Sequence, residues 1–327
     1  MKGSHRIIVE SKKIKYDFVI RRNITILTGD SGSGKTVLID LIRDYKRFGA
    51  DSGVFLSCDC PCKTIDNEDW ERQIKETKGS IIFIDEGNRF LVSKKFAGLV
   101  QESDNYFVLA TREKLPTLPY SINEIYGFRK SGKFHDAKQK YNEIYHLYGE
   151  ISEKEMIDPG FVITEDSNAG FEFFSELSRQ KGINCITASG KSNIIKQLEK
   201  SENVKSTKLL IVDGAAFGSE MKDINEYMKT KGKIVLYAPE SFEWLLLSTN
   251  QIPETNVENI LKNPEEYIDG KEYVSWERFF TEVLIEQTRL NPVWAYSKKK
   301  IAKAYFSPRI VSAVKSIMKL VDWERDK

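Results

Sequence analysis

The sequence lacks the features that mark a membrane or secreted protein. Its longest stretch without a charged residue runs from Trp244 to Pro253, far short of the roughly 20 apolar residues that a membrane-spanning helix needs. The first six residues contain no apolar core of the kind that a secretory signal carries. We therefore expect no membrane association and a cytoplasmic location.

The chain also has little net charge and few cysteines. A formal charge of +2 is too small to indicate nucleic acid as a partner from composition alone. Three of the four cysteines form Cys58-Asp59-Cys60-Pro61-Cys62, and Cys185 lies in a different region. Zinc usually takes four ligands, and no second His or Cys pair matches this cluster. We interpret the cysteines as free thiols, with an unsupported metal or redox role as the alternative.

What is present is the composition of a globular protein long enough for two domains. The chain has 327 residues, of which 40% are apolar and 30% are charged, so two domains can each bury a core. The charged, interrupted segment 149–160 marks a boundary. We expect a nucleotide-binding α/β domain over 1–148, a second α/β domain over 160–250 and a helical, basic C-terminal region over 251–327.

A glycine-rich segment early in the chain matches the phosphate-binding pattern G-x-x-x-x-G-K-[ST]. A predicted buried strand precedes it and a predicted helix follows it. Backbone N–H groups of such a loop surround phosphates, Lys35 neutralises their charge, and the Thr36 hydroxyl suits Mg²⁺. The sequence therefore predicts a loop for ATP and Mg²⁺ made of Gly29, Asp30, Ser31, Gly32, Ser33, Gly34, Lys35 and Thr36.

Uniformly apolar runs downstream predict parallel strands buried on both faces. The runs are Val54–Cys58, 80–84 and 106–110. Asp85 and Glu86 end the second run, and Asp85 lies 50 positions after Lys35. This is a Walker B arrangement, in which Asp85 would hold Mg²⁺ through its water shell and Glu86 would orient and deprotonate the attacking water.

These motifs resemble the additional-strand glutamate group of P-loop NTPases, which includes AAA, ABC and RecA-like ATPases, over about residues 5–130. The resemblance implies ATP hydrolysis and a polar residue on a neighbouring strand that senses the γ-phosphate. Thr111 matches that position, with Arg112 as the alternative. The Ser-Gly-Gly signature of ABC ATPases is missing from 67–78, so we do not expect their mode of sandwiching ATP. Candidates for an arginine finger, each with a surface-charge alternative, are Arg89, Arg112 and Arg129.

A second α/β rhythm follows residue 160. Four apolar runs alternate with amphipathic helices and predict a four-stranded parallel sheet; the runs are 161–164, 184–188, 209–212 and 233–237. Glu165 ends the first strand and Asp213 the third. This order resembles a TOPRIM domain, the metal-dependent fold of topoisomerases, primases and nucleases.

An ATPase followed by such a domain resembles the overcoming-lysogenization-defect nucleases, many of which act in bacteria–phage conflict. The resemblance implies that Glu165 and Asp213 are catalytic and bind a metal, joined by Glu243 after the fourth strand. Ala215 stands where the family has the second aspartate of Asp-x-Asp, and Asp166 where it has a glycine. The carboxylate set is thus one ligand short of the pattern for Mg²⁺, and an inactive Rossmann-like module is the alternative.

The C-terminal region is basic and aromatic. From Arg289 onward it has ten Lys and Arg against three acids, a pattern that suits phosphate contacts and base stacking. A helical bundle with a basic solvated face is the alternative. The interleaved aromatic residues are Trp294, Tyr296, Tyr305 and Phe306.

Three functions are compatible with these patterns. The first is an ATPase that controls a TOPRIM-like effector acting on nucleic acid, in phage or mobile-element conflict. The second is a non-nucleolytic ATP-dependent switch or assembly protein that acts on a protein or DNA partner. The third is a kinase, against which Glu86 argues because it favours water as the nucleophile. We expect a homo-oligomer.

Overall fold

The computed structural model describes residues 1–66, 68–130, 140–148, 156–231 and 233–324. The chain divides into two compact units. The first comprises Met1–Gly149 and Asn263–Ser275, and the second comprises Glu150–Lys262 and Trp276–Lys327. The region expected as a separate C-terminal part, 251–327, is therefore shared between the two. Both units combine parallel strands with helices, which confirms the α/β class.

The described part of the first unit contains one sheet of nine strands. These are β1 (His5–Glu10), β2 (Ile14–Ile20), β3 (Ile24–Leu27), β4 (Phe55–Ser57), β5 (Cys62–Thr64), β6 (Ile81–Ile84), β7 (Tyr106–Ala110), β8 (Ile125–Lys130) and β9 (Lys140–His146). Their order is β4-β1-β2-β9-β8-β3-β7-β6-β5. The part from β8 to β5 is parallel, whereas β1 runs antiparallel to β2 and β4. Every residue of β3, β6 and β7 is buried, as the apolar runs predict.

The sheet has to curl strongly, because a short link joins its two outermost strands. β4 ends at Ser57 and β5 begins at Cys62, and five Cα steps span at most about 18 Å. A flat sheet with this many strands would hold its edges about 38 Å apart. Helix α1 (Lys35–Phe48) contacts β1, β4 and β5. It therefore packs against both ends of the curled sheet.

The prediction for Val54–Cys58 is wrong in one respect. Residues Phe55–Ser57 do form a strand, but it pairs antiparallel with β1 and the Phe55 side chain is 57% exposed. The parallel neighbour of β6 is instead β5, which the sequence analysis missed. Three residues with a central lysine carry too little apolar periodicity to be recognised as a strand.

The first unit also contains two shorter helices, α2 (Trp70–Glu76) and α3 (Lys94–Glu102). Phe96 of α3 packs edge-on against Phe107 of β7 with ring centroids 6.0 Å apart. Segment 263–275 also belongs to this unit. Its Glu265 carbonyl accepts a 2.8 Å hydrogen bond from the Gly3 amide, and its Val274 carbonyl accepts a 3.3 Å bond from the Asn23 side chain.

The second unit is built on a four-stranded parallel sheet, as the alternating pattern predicted. The strands are β10 (Phe161–Thr164), β11 (Asn184–Thr187), β12 (Lys208–Ile211) and β13 (Ile234–Tyr237), in the order β11-β10-β12-β13. The helices are α4 (Ala169–Lys181), α5 (Ile194–Lys200), α6 (Met221–Lys231), α7 (Phe242–Ser248), α8 (Glu258–Lys262), α9 (Trp276–Thr288) and α10 (Pro308–Ile317). Because β10 and β12 are adjacent, the residues that follow them meet at one edge of the sheet.

The C-terminal aromatic residues pack inward. Tyr296 and Tyr305 are buried, and the Trp294 ring packs edge-on against Tyr305 at 5.4 Å. Phe306 stacks on Phe173 of α4 at 5.9 Å. These rings form part of the second unit's core, so the region is a packed helical element and its aromatic residues do not form an open base-stacking surface.

Candidate functional site

Three polar segments of the first unit meet at the carboxyl edge of its parallel sheet. The glycine-rich loop follows β3, Asp85 follows β6 and Thr111 follows β7. Strand β7 pairs in parallel with both β3 and β6, so all three strand ends lie on the same side of the sheet. This is the edge at which open α/β sheets bind ligands.

The backbone of the loop requires its glycines. Gly29, Gly32 and Gly34 have φ angles of 145°, 76° and 112°, a region that residues with a β-carbon rarely adopt. At Gly34 the space is closed as well. An added β-carbon would lie 2.5 Å from the Asn142 amide nitrogen and 2.9 Å from the Tyr16 hydroxyl. Gly34 immediately precedes α1, so the loop ends at the positive end of that helix.

Lys35 fills the centre of the loop. Its side chain is 5% exposed, and its ammonium donates to the Gly29 carbonyl at 2.6 Å and to the Ser33 hydroxyl at 3.2 Å. Burial lowers the pKa of Lys35, while the nearby carboxylates of Glu86 and Asp85 oppose this change. The buried ammonium of Lys35 is thus hydrogen-bonded to neutral oxygens of the loop. Charged phosphate oxygens would be stronger hydrogen-bond acceptors. The loop residues therefore fit a bound triphosphate.

Thr36 and Asp85 come together as a metal site at this edge would require. The Thr36 hydroxyl lies 3.4 Å from Asp85 Oδ1, which also accepts from the Glu86 amide at 2.8 Å. Asn88, which the sequence analysis missed, donates to the Asp85 carbonyl at 2.8 Å and fixes the turn. A hydroxyl beside a carboxylate, open to water, suits the hard oxygen coordination of Mg²⁺.

Glu86 is held between two cations. Its Oε1 accepts from Arg112 Nε at 2.6 Å, and its Oε2 lies 3.9 Å from the Lys35 ammonium. Arg112 therefore acts on Glu86 within the same chain. Of the other two arginine-finger candidates, Arg129 lies over the Tyr145 ring at 4.7 Å and Arg89 is exposed.

Thr111 occupies the strand end that the sequence indicated, but its hydroxyl has a local partner. The side chain is 4% exposed, and Oγ1 accepts a 2.9 Å hydrogen bond from the Glu113 amide. This contact stabilises the turn after β7. Sensing of a γ-phosphate by Thr111 stays a prediction.

Two residues that touch the loop were missed by sequence analysis. The Tyr16 hydroxyl donates to the Gly34 carbonyl at 2.8 Å, and the Asn142 amide donates to the Ser33 carbonyl at 3.3 Å. Burial raises the pKa of Tyr16 to about 12, so its hydroxyl stays protonated and can donate. They lie on β2 and β9, whose alternating patterns carry no motif that relates them to the loop.

In the second unit, Glu165 and Asp213 lie side by side after β10 and β12. The Asp213 amide donates to Glu165 Oε2 at 3.1 Å, and Asp213 Oδ1 accepts from the Phe242 amide at 3.1 Å. Both carboxylates line a cavity of about 20 Å³, which has room for one water molecule. Burial raises the pKa of Glu165 to about 7. Burial also raises the pKa of Asp213, and the carboxylates of Glu277 and Glu165 add to the effect.

Asp166 has a structural role instead of an open ligand position. Its two carboxylate oxygens accept from the amides of Asn168 and Gly170 at the start of α4. Ala215, at the position of the missing aspartate, is 2% exposed and its amide donates to the Glu240 carbonyl at 3.1 Å. The backbone at this position is therefore buried and hydrogen-bonded, and an aspartate here would project from that turn.

Glu243 lies in the first turn of α7 and is 1% exposed. Its Oε1 accepts from the Tyr296 hydroxyl at 2.8 Å, while Oε2 has no hydrogen-bond partner in the described part of the structure. A second pair, missed by sequence analysis, lies close by: the Lys298 ammonium is 2.6 Å from Glu277 Oε1. Burial lowers the pKa of Lys298, but Glu277 and Glu243 more than offset this and the net pKa is raised.

The metal-binding prediction for Glu165, Asp213 and Glu243 stays a prediction. Within the described residues, these three do not bring one ligand atom each to within 4.8 Å of one another. A lysine ammonium already balances the acidic cluster. To bind Mg²⁺, these carboxylates would have to bring several oxygen ligands around one point.

Comparison with known proteins gives no family assignment: no family model matches the chain, and no curated protein matches it. Among the helices that the structure describes, none is both long and apolar enough to cross a bilayer.

Proposed function

We propose that the first unit binds Mg-ATP and hydrolyses it. One arrangement supports this: the glycine-rich loop lies at the head of α1, with Thr36 next to Asp85 and Lys35 next to Glu86. Strand β7 lies between the strand before the loop and the strand before Asp85.

In this proposal each residue has one task. Bound ATP supplies the terminal phosphoanhydride bond that water cleaves. Lys35 leaves its loop acceptors and neutralises phosphate charge, while Thr36 and Asp85 provide oxygens for Mg²⁺. Glu86 accepts the proton of the attacking water. Arg112 engages Oε1 of the same carboxylate and so opposes this proton transfer.

The test compares variants of two lysines on α1. Lys35→Ala is expected to abolish ATP hydrolysis, whereas Lys46→Ala, at an exposed position in the last turn, is expected to leave it unchanged. Glu86→Gln is expected to lower kcat by about 10²- to 10⁴-fold while ATP still binds. Wild-type protein that neither binds nor hydrolyses millimolar ATP with Mg²⁺ would refute the proposal. Phosphate transferred to an acceptor other than water would establish the kinase instead.

We further propose that ATP turnover controls the second unit as a TOPRIM-like module. The chain passes between the units three times, and segment 263–275 of the first unit leads directly into α9. Glu277 follows that junction by two residues, and its carboxylate acts on Asp213. A nucleotide-dependent shift of this segment would therefore move an acid of the cluster.

Binding without cleavage is the version that the carboxylate cluster favours. Ala215 removes one ligand, Asp166 is used by α4, and Lys298 provides a positive charge beside the acids. We therefore propose an ATP-dependent switch or assembly protein that acts on nucleic acid or on a protein partner. The resemblance to overcoming-lysogenization-defect nucleases extends this proposal to phage or mobile-element conflict.

Two measurements separate the two versions, and a third tests the role in conflict with phages. Wild-type protein and Asp213→Ala are incubated with DNA and RNA in Mg²⁺ or Mn²⁺. Nicking that disappears in the variant would overturn the non-nucleolytic version. DNA retention or a change of oligomeric state that depends on ATP and is lost in Lys35→Ala would support it. Plaque counts on bacteria that express wild type or Lys35→Ala test the role in conflict with phages.

A further inference from the structure

Three cysteine side chains and one histidine meet at the link between β4 and β5. Cys58 and Cys60 lie in the link, Cys62 begins β5 and His5 begins β1. The sulfur atoms of Cys58 and Cys60 are 3.7 Å apart, and the Cys60 sulfur is 3.7 Å from His5 Nδ1. The Cys62 sulfur lies 4.0 Å from the Cys60 carbonyl oxygen. We call these four residues the thiol cluster.

Two separations in the thiol cluster, Cys58 to Cys60 and Cys60 to His5, match edges of a zinc tetrahedron. With Zn–S bonds of about 2.3 Å and Zn–N bonds of about 2.0–2.1 Å, tetrahedral geometry gives S–S edges of about 3.8 Å and S–N edges of about 3.6 Å. Both measured separations lie close to these values. They are far longer than the roughly 2.05 Å of a disulfide bond, and all three thiols are free.

The histidine supplies the fourth ligand that the sequence pattern lacked. His5 is 8% exposed, and its Nδ1 faces both Cys60 and the Asp59 carboxylate, which lies 2.9 Å away. In the described residues, His5, Asp59 and Cys60 are the group that brings three ligand atoms to within 4.8 Å of one another. The Asp59 side chain is 63% exposed, so it is free to turn toward water when a metal takes its place on Nδ1.

We propose that the thiol cluster binds one Zn²⁺ ion. Thiolate and imidazole ligands select zinc over Mg²⁺ and Ca²⁺, which require oxygen. A Cys₃His set also has the four ligands typical of structural zinc sites. The ion would join β1 to the link between β4 and β5, and so close the curl of the sheet.

The experiment measures metal content of the full-length chain. Protein purified with a thiol reductant is loaded with Zn²⁺ and dialysed against a weak chelator, and bound zinc is counted by mass spectrometry. One zinc per chain is expected in wild type and in the matched control Cys185→Ser, whose thiol lies in the second unit. Cys60→Ser is expected to lose more than the roughly 10–100-fold in affinity that removal of a mere supporting partner costs.

Cobalt gives a second readout that does not depend on the yield of one variant. Co²⁺-loaded wild type should show thiolate-to-cobalt charge transfer and the visible bands of a tetrahedral ion, and His5→Gln should shift those bands while the charge transfer persists. Less than one tenth of a zinc per wild-type chain would overturn the proposal. So would equal zinc in wild type and Cys60→Ser.

Discussion

Replacing Gly34 with alanine tests the geometry of the glycine-rich loop. The φ angle of 112° at this position costs a residue with a β-carbon about 1–2 kcal/mol. The new carbon would also lie 2.5 Å from the Asn142 amide, and overpacking of this kind adds about 1–3 kcal/mol. The loop of Gly34→Ala should relax to another conformation. ATP binding then has to restore the original conformation, and this costs part of the binding free energy. Binding should weaken by about 30- to 5,000-fold, from a total of about 2–5 kcal/mol.

Gly32→Ala is the matched control for that measurement. Gly32 has a φ angle of 76°, and an added β-carbon would meet nothing within 4 Å. It therefore carries only the backbone cost, which corresponds to about 5- to 30-fold weaker binding. Calorimetric or fluorescence titration with ATP gives the dissociation constants. Adding Asn142→Ala to Gly34→Ala should recover part of the loss. Equal defects at Gly32 and Gly34, or no recovery in the double variant, would refute the argument from close packing.

Three further outcomes are expected. Arg112→Ala should raise basal ATP hydrolysis, because it releases Glu86 from an exposed ion pair. Such a pair is worth about 0.2–1 kcal/mol, which limits the increase to about fivefold; steady-state phosphate release measures it. Burial raises the pKa of Glu165 to about 7, so stability is lost as pH rises from about 5 through 7. Glu165→Gln should reduce this slope, to which Asp213 also contributes, and raise unfolding stability at pH 8 by about 3 kcal/mol; thermal unfolding across pH measures this. Tyr296→Phe should destabilise the second unit by about 1–3 kcal/mol, because it leaves the buried Glu243 carboxylate without its donor; denaturant unfolding measures this loss.

Each of these outcomes has a control of the same residue type. Arg89→Ala and Glu199→Gln change exposed side chains, and neither should alter hydrolysis or the pH slope. Tyr227→Phe removes a hydrogen bond to an exposed glutamate and should cost less than about 0.5 kcal/mol. Slower hydrolysis in Arg112→Ala would mean that Arg112 assists Glu86. An unchanged pH slope in Glu165→Gln, or equal losses in the two tyrosine variants, would contradict the burial arguments.

Local sequence patterns were sufficient for the parts of the fold that depend on continuous apolar runs. The four strands of the second unit lie within one residue of the runs that predicted them, because strands buried on both faces need such runs. The position of the loop from Gly29 to Thr36 could also be predicted, because its backbone angles require glycines and the glycines are visible in the sequence.

Contacts between distant residues could not be predicted in this way. Tyr16 and Asn142 reach the loop from strands 18 and 109 positions away from their partners Gly34 and Ser33. Glu277 joins the acidic cluster from α9 and Lys298 from a turn after it, a tertiary contact that a single sequence does not encode as a motif. His5 likewise meets Cys60 only because the sheet curls, 55 positions along the chain.

The return of residues 263–275 to the first unit makes the protein hard to dissect by truncation. A fragment that starts near residue 150 would carry these thirteen residues without their partners Gly3 and Asn23. The carbonyl groups of Glu265 and Val274 would then lack their hydrogen-bond donors in any assay of the isolated second unit. A cleaner design would replace the excursion with a short bridge from Lys262 to Trp276. The same topology opposes exchange of either half by simple recombination, so the two have reason to be inherited together.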